Sequence, residues 1–299
     1  MLTIYRLNTD GHFRSGSVRL LNLPGFVEKR RLDQVLLADC LLVHVPSLLA
    51  SHGRAELARL RSIVPKSQVW IADTLESSVN YPDLNDPEFM SMFDIEVSYR
   101  KSADIWRSYV GHDFDVRIKG AAPGRKRRRF CCAFVSSGFH ESGRRDLMKN
   151  LMERLPVHSY GKLFRNRRLW FDKGIPSKLK ALEKYTYTLA LENSIDQDYV
   201  TEKFFEPLMT GTIPIYLGAP NIDDFAPGEN CFINVNDFAS VDALADFLKT
   251  ADPAQFHAWR DKPLSPQFLA IVEEMRRPFE SRLANLIRQK RAEKSPSSS

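Results

Sequence analysis

The sequence predicts an α/β protein of the parallel, doubly wound kind, and three observations carry that reading. Residues 185–238 run strand, polar loop, helix, strand, turn, strand, the alternation that a parallel sheet with crossover helices requires. The N-terminal half alternates short apolar, β-rich runs with helical periodicity in the same way. At 299 residues, the chain is long enough for two such domains or one large one.

In chain order, residues 2–7 read as the first strand and 41–45 as a short buried one behind the leucine-rich stretch 32–37. Helical spacing follows over 47–63 and stops before Pro65. Residues 69–72 form the next strand, with Asp73-Thr74-Leu75-Glu76-Ser77-Ser78 at its carboxyl end. The Pro/Asp/Asn-rich 81–87 reads as loop and 95–100 as a strand. A Gly/Pro linker running into Arg125-Lys126-Arg127-Arg128-Arg129 makes 120–129 the expected domain boundary.

A buried strand restarts at 130–135, and a polar loop over 136–142 leads to a helix over 143–155 with Leu147, Leu151 and Leu155 on one face. Residues 157–160 are a strand and 165–170 a basic loop. The apolar run 185–191 ends in Glu192-Asn193-Ser194, and Asp198-Tyr199-Val200-Thr201-Glu202-Lys203 opens a helix through Phe204, Phe205, Leu208 and Met209 that stops at Gly211. Strands over 212–217, closed by Gly218-Ala219-Pro220, and over 231–235 complete the unit. Residues 270–291 are helical in pattern apart from Pro278, with Phe279, Leu283, Leu286 and Ile287 sharing a face ringed by Arg282, Arg288, Lys290 and Arg291. The Ser/Pro tail over 294–299 is expected to be disordered.

The net charge of +6 suits an anionic ligand, and equally nucleic acid or acidic lipid. Cys40, Cys131, Cys132 and Cys231 lie in or beside apolar runs without metal-ligand spacing, so buried free thiols and a reducing compartment are expected. The first residues lack the apolar core of a signal peptide, and no run approaches the ~18 apolar residues of a membrane span. A cytoplasmic protein is the expectation.

In doubly wound sheets, ligands bind outside the carboxyl ends of the strands. Glu202 and Lys203 fall in the first turn of a helix there, where free N–H groups attract anions. A lysine in that place suits a phosphate, and a carboxylate beside it suits sugar or ribose hydroxyls.

Three blocks in order, Leu189-Ala190-Leu191-Glu192-Asn193-Ser194, Asp198-Tyr199-Val200-Thr201-Glu202-Lys203 and Ile213-Pro214-Ile215-Tyr216-Leu217-Gly218, followed by Phe232-Ile233-Asn234-Val235-Asn236-Asp237-Phe238, resemble the signature of the α1,3-fucosyltransferases, glycosyltransferase family 10, of bacterial type. The resemblance covers 130–238 well and 70–105 weakly. It implies the GT-B arrangement, two Rossmann-like domains with a cleft between them: an acceptor-binding domain over 1–122, a GDP-fucose-binding domain over 128–269, and a basic helix and tail over 270–299. It implies an inverting transfer of L-fucose from GDP-fucose to a hydroxyl, expected to be O3 of GlcNAc, of an N-acetyllactosamine-like acceptor, an oligosaccharide or lipopolysaccharide-like glycan.

Carried residue by residue, the resemblance makes Glu202 the glutamate that holds ribose or sugar hydroxyls and Tyr199 a tyrosine lining the same site, with Asn193 at the strand edge. Lys203 meets the diphosphate, as does Arg144, reached by counting ungapped from Phe134-Val135-Ser136-Ser137. Arginine suits that task because its fork donates two hydrogen bonds to phosphate oxygens. Glu76 matches the family's catalytic glutamate in a Glu-Ser-Pro element, supported by Val97-Ser98-Tyr99-Arg100-Lys101-Ser102, although Ser78 stands where proline is usual. Asp73 is the rival base.

Asp196-Gln197-Asp198 has the form of a metal-binding triplet, but within this block it reads as loop and cap, Asp198 capping the helix that carries Glu202. No cofactor is therefore expected, a divalent metal being at most stimulatory. The run 125–129 lacks interleaved aromatics and reads as a solvated linker, so no nucleic-acid partner is expected. The basic C-terminal helix could lie on a membrane surface, making the enzyme peripheral to it, or pack back over the first domain. Two rivals stay open: a glycosyltransferase using another nucleotide sugar, and a basic nucleic-acid-binding α/β protein.

Overall fold

The computed structural model describes residues 2–7, 23–29, 32–51, 53–120 and 129–294. The chain divides into two units, Met1–Arg107 with Arg277–Ser299, and Ser108–Arg276.

In the first unit, β1 (Leu2–Leu7), β2 (Phe26–Lys29), β3 (Cys40–His44), β4 (Val69–Asp73), β5 (Ile95–Ser98) and β6 (Ile105–Trp106) pair in parallel, in the order β2-β1-β3-β4-β5-β6. All five residues of β4 are buried, the mark of a parallel strand covered on both faces. The helical pattern over 47–63 resolves into α1 (Val45–Ser51) and α2 (Gly53–Ile63), with Gly53 in the left-handed region that ends a helix at φ +72°. Residues 81–87, read as loop, hold a 3-10 turn at Pro82–Asn85 and lead into the one-turn α3 (Pro87–Met90), whose first N–H groups donate to the Asp86 carboxylate. Strands β2 and β6 are too short to register as periodicity.

The second unit opens with α4 (Phe114–Gly120) and continues through β7 (Arg129–Ala133), α5 (Arg144–Arg154), β8 (Val157–Ser159), α6 (Ile175–Leu182), β9 (Tyr185–Leu191), α7 (Glu202–Thr210), β10 (Ile213–Leu217), β11 (Ile233–Asn234), α8 (Val241–Thr250) and α9 (Pro266–Arg276). Its strands are all parallel, in the order β11-β10-β9-β7-β8. The chain leaves β7 for β8 on one side and returns to β9 on the other, so the topological switch point lies between β7 and β9. That is where this architecture opens a crevice at the strands' carboxyl ends.

The division falls at Arg107/Ser108, ahead of the linker expected over 120–129, of which 121–128 lie outside the described residues. The reason is α4. Its Phe114 packs edge-to-face on Phe205 of α7 at 5.4 Å, Ile118 is fully buried, and Lys119 donates to the carbonyls of Arg260 and Lys262. Residues expected in the acceptor domain therefore belong to the second unit.

Pro278 separates α9 from α10 (Phe279–Lys294), and α10 belongs to the first unit. Leu283, Ala284 and Ile287 are fully buried against Ile4, Cys40, Leu42, Val69 and Ile71. Arg291 pairs with Asp39, and Lys294 with Asp94 at 2.5 Å. The expected membrane contact through this helix is thereby corrected: its apolar face is already covered by the sheet, which is the packed alternative. The tail beyond 294 lies outside the described residues.

Candidate active site

The switch point of the second unit is built from two loops, 134–143 after β7 and 192–201 after β9. Glu192 follows β9 and is fully buried, as is Ser194. A carboxylate taken out of water needs donors, and this one has them. Its Oε1 accepts from the Thr201 backbone N–H (2.8 Å), and the Thr201 hydroxyl bonds both carboxylate oxygens (2.9 and 2.7 Å). Lys203 Nζ lies 3.3 Å from Oε2. Burial pushes the Glu192 carboxyl up and Lys203 opposes it.

Thr201 is also the cap of α7, its hydroxyl accepting from the Lys203 backbone N–H. This corrects the cap assigned to Asp198. Asp198 sits instead in a left-handed turn (φ +64°), where its N–H donates to Asn221 Oδ1 (3.0 Å) and its carboxylate accepts from Asn221 Nδ2 (2.9 Å). Asx residues tolerate that conformation better than most. The loop after β10 thus holds the loop after β9.

Lys203 Nζ reaches Thr201 Oγ1 (2.9 Å) and Glu202 Oε1 (3.3 Å) as well as Glu192. Its side chain is 18% exposed and that of Glu202 is 41% exposed. Burial works to lower the Lys203 ammonium, but Glu192 and Glu202 outweigh it and hold it above its ordinary range. Burial works to raise Glu202, and Lys203 and then Lys178 overcome that, so its carboxyl stays below its usual value. The site presents an ammonium at the start of a helix beside a partly open carboxylate. That pairing accommodates a phosphate next to hydroxyls.

Arg144 lies in the same constellation. Its guanidinium is fully buried, and burial lowers its pKa while Glu192, Tyr199 and Glu202 oppose the shift. Four of its five N–H donors are engaged within the protein: with Leu191 O (3.2 Å), Ser137 O (3.2 Å), Phe139 O (2.6 Å) and His140 Nδ1 (3.2 Å). The fork expected to meet a diphosphate therefore ties the loop after β7 to the end of β9. Ser142 adds to that tie, its hydroxyl donating to Glu192 O (2.6 Å) and its N–H to Asn193 O (3.3 Å).

Tyr199 is buried, its ring edge-to-face with Tyr109 at 6.4 Å. Asn193 is also buried, and its Oδ1 accepts from the Ser194 hydroxyl (3.2 Å). Gly218 completes the packing. A Cβ there would lie 2.4 Å from the Tyr216 hydroxyl and 2.6 Å from Glu192 Cγ, so only glycine fits. In the sequence Glu192 reads as a strand-edge polar residue, and Thr201 and Gly218 stand in the motif blocks without a role of their own. The available signal was a carboxylate directly behind a strand buried along nearly its whole length.

Arg144, Asn193, Tyr199, Glu202 and Lys203 thus come together in the second unit; Glu76 belongs to the first. It follows β4, half-buried, in a loop held by its own backbone. The Glu76 N–H donates to Thr74 Oγ1 (3.1 Å), and the Ser78 N–H donates to the buried Tyr99 hydroxyl (3.0 Å). A proline at 78 could not make that second bond, so the departure from Glu-Ser-Pro comes with its own turn. Arg100 steadies the next loop through Leu84 O (3.3 Å) and Asn85. The rival base Asp73 is 6% exposed and ion-paired to Arg107 at 3.2 Å. Burial raises the Tyr81 phenol and Glu76 adds to that, which puts the two within electrostatic reach.

Residues 124–295 match the profile of glycosyltransferase family 10 (fucosyltransferase), C-terminal region. The chain is 32% identical over 218 residues to alpha-(1,3)-fucosyltransferase B of Drosophila melanogaster, covering 66% of this chain and 49% of the fly protein. It is 32% identical over 232 residues to alpha-(1,3)-fucosyltransferase 7 of Rattus norvegicus, covering 75% and 59%. It spans about half or less of the length of the first curated relatives it matches. A crystal structure of an alpha1,3-fucosyltransferase shares its fold with a TM-score of 0.59 at 16% identity, over 98% of this chain and 90% of that one. Another, with GDP-fucose, gives 0.57 at 17% identity, over 100% and 91%.

Proposed function

We propose that this chain, which belongs to glycosyltransferase family 10 (fucosyltransferase), is an α1,3-fucosyltransferase. Its two parallel-sheet units are those of the GT-B class. The reaction is transfer of L-fucose from GDP-fucose to O3 of GlcNAc in an N-acetyllactosamine-like glycan, with inversion at the fucose anomeric carbon.

The observation that carries the reading is the joined set Glu192, Thr201, Glu202 and Lys203 at the switch point. Lys203 stabilises the diphosphate, on which negative charge grows as the glycosidic bond breaks and GDP leaves with the electron pair. The free N–H groups of α7 add to that field. Glu202 accepts hydrogen bonds from ribose or fucose hydroxyls. Arg144 orders the loop after β7 rather than gripping phosphate, and its buried charge adds to the positive potential. In the first unit, Glu76 takes the proton of the acceptor hydroxyl as its oxygen bonds to the anomeric carbon.

With an ammonium and a helix terminus supplying positive charge, transfer needs no divalent metal, and activity is expected to persist in EDTA. The four free, buried cysteines support a reducing compartment and hence the cytoplasm. Among the described residues, no helix is long and apolar enough to cross a membrane.

Calorimetry with GDP, GDP-fucose and UDP on wild type and Lys203→Ala tests the reading. GDP binding without metal, weak UDP binding and a loss in the variant are expected. Consumption of only GDP-mannose or a UDP-sugar would move the assignment to another donor. Salt-sensitive oligonucleotide binding with no sugar-donor turnover would end the enzyme reading.

A further inference from the structure

Between β8 and α6 the second unit carries a loop with two adjacent, highly exposed aromatics. Trp170 is 94% exposed and Phe171 83%, and Ile175, four residues on, is 64% exposed. Single exposed apolar side chains are ordinary; three within six residues, two on the loop and one at the start of α6, are not. Residues 165–180 contain six basic residues (Arg165, Arg167, Arg168, Lys173, Lys178, Lys180) and one acidic (Asp172), a net +5 in a chain whose total is +6. Lys178 is paired with Glu206, but the other five basic residues are exposed.

The loop is built, not loose. At its start, Asn166 accepts from the Ser159 N–H (2.8 Å) and donates to Val157 O (3.0 Å), while Leu163 and Phe164 pack into the core. At its end, the Ser177 hydroxyl donates to Phe171 O (2.9 Å) and accepts from the Lys173 N–H (2.9 Å), and Gly174 turns with φ +73°. This hydrogen bonding fixes a backbone that holds the two aromatics out into water. A rigid aromatic tip ringed by cations matches the interfacial layer of an anionic bilayer, where Trp and Phe sit among headgroups and Lys and Arg meet phosphates.

We propose that residues 165–180, the loop and the first turns of α6, are a docking surface for an anionic lipid membrane, with Trp170 and Phe171 as the inserting pair. The charge complementarity selects this occupant over an uncharged glycan, which would use the aromatic faces but have no need of five exposed cations. The segment belongs to the second unit, whereas α10, whose apolar face is covered, belongs to the first.

The test is co-sedimentation of the full chain with phosphatidylcholine vesicles and with vesicles containing phosphatidylglycerol, alongside tryptophan emission. Trp70 and Trp259 are buried and Trp106 half-buried, so a blue shift on binding reports Trp170. Binding to the anionic vesicles alone, weakened by salt, is expected. Trp170→Ser with Phe171→Ser should abolish both binding and shift while leaving the melting temperature unchanged, since neither side chain packs. Arg167→Glu with Arg168→Glu should weaken binding at least ~25-fold, at about fivefold per cation. Arg288→Glu with Lys290→Glu on α10 should bind like wild type. Absence of anionic-vesicle binding, retention of it in the Trp170/Phe171 variant, or loss confined to the α10 variant would overturn the proposal. So would a Trp170 shift produced by a neutral oligosaccharide and not by vesicles.

Discussion

Replacing Lys203 with methionine isolates what its ammonium does. In the native fold, Nζ lies 3.3 Å from the fully buried Glu192 carboxylate, whose other donors come only from Thr201 among the contacts described. Removing one partner of a buried pair leaves an uncompensated charge, a loss of about 3–5 kcal/mol. Part of that is recovered if Glu192, already pushed up by burial, takes a proton. The sign follows from linkage. A carboxyl whose folded pKa exceeds its unfolded value makes the fold less stable as pH rises through that interval. The deficit of Lys203→Met relative to wild type should therefore shrink as pH falls toward the ordinary carboxylate value of about 4.3. Adding Glu192→Gln removes the stranded charge, so the double variant should be more stable than the sum of the single losses by about 1–3 kcal/mol. Urea unfolding of the four proteins at neutral and mildly acidic pH measures this, and GDP calorimetry on the same samples reads the affinity. A charge-assisted bond to phosphate predicts weakening of about 10- to 150-fold from about 1.5–3 kcal/mol. Additive single losses, or a pH-independent deficit, would refute the account of Glu192 as a buried charge held by Lys203.

Glu76→Gln should lower kcat by about 10²- to 10⁴-fold with GDP affinity intact; wild-type turnover would remove the base assignment. Gly218→Ala should destabilise by about 1–3 kcal/mol, because its Cβ meets the Tyr216 hydroxyl and Glu192 Cγ, and thermal unfolding checks it. Asp39 accepts from the Thr3 N–H (2.6 Å) and hydroxyl (2.9 Å) and pairs with Arg291. Burial works to raise its pKa, and the bonds from Thr3 and Arg291 hold it below the ordinary value. Its stabilisation is thus present above the unfolded value of about 3.9 and lost as pH falls through the folded one. Asp39→Asn should unfold more readily at neutral pH and show a flatter stability profile at acid pH, as measured by denaturant titration.

Much of the second unit was legible because local chemistry and tertiary role coincide there. Strand β9 is a buried run with a carboxylate behind it, and α7 has its threonine cap and terminal glycine in sequence. Helices α6 and α8 were not anticipated. They lie in stretches that carried none of the motif blocks, though Ser240 caps α8 in the ordinary way. In the first unit, the Glu76 loop was found through its resemblance. Its hold on Tyr99, a residue 21 positions away, becomes visible only when β4 and β5 pair.

Periodicity and motifs contiguous in the chain were enough for the parallel α/β class, the family, and the residue types at the switch point. What each polar group faces was decided only by the folded packing. Arg144 reads as a phosphate ligand at the start of a helix, yet the loops folded around it direct its guanidinium to three carbonyls. The basic face of α10 reads as a membrane surface until the sheet covers its apolar side. Burial and hydrogen-bond partnership are set by residues far away in sequence, and no local pattern encodes them.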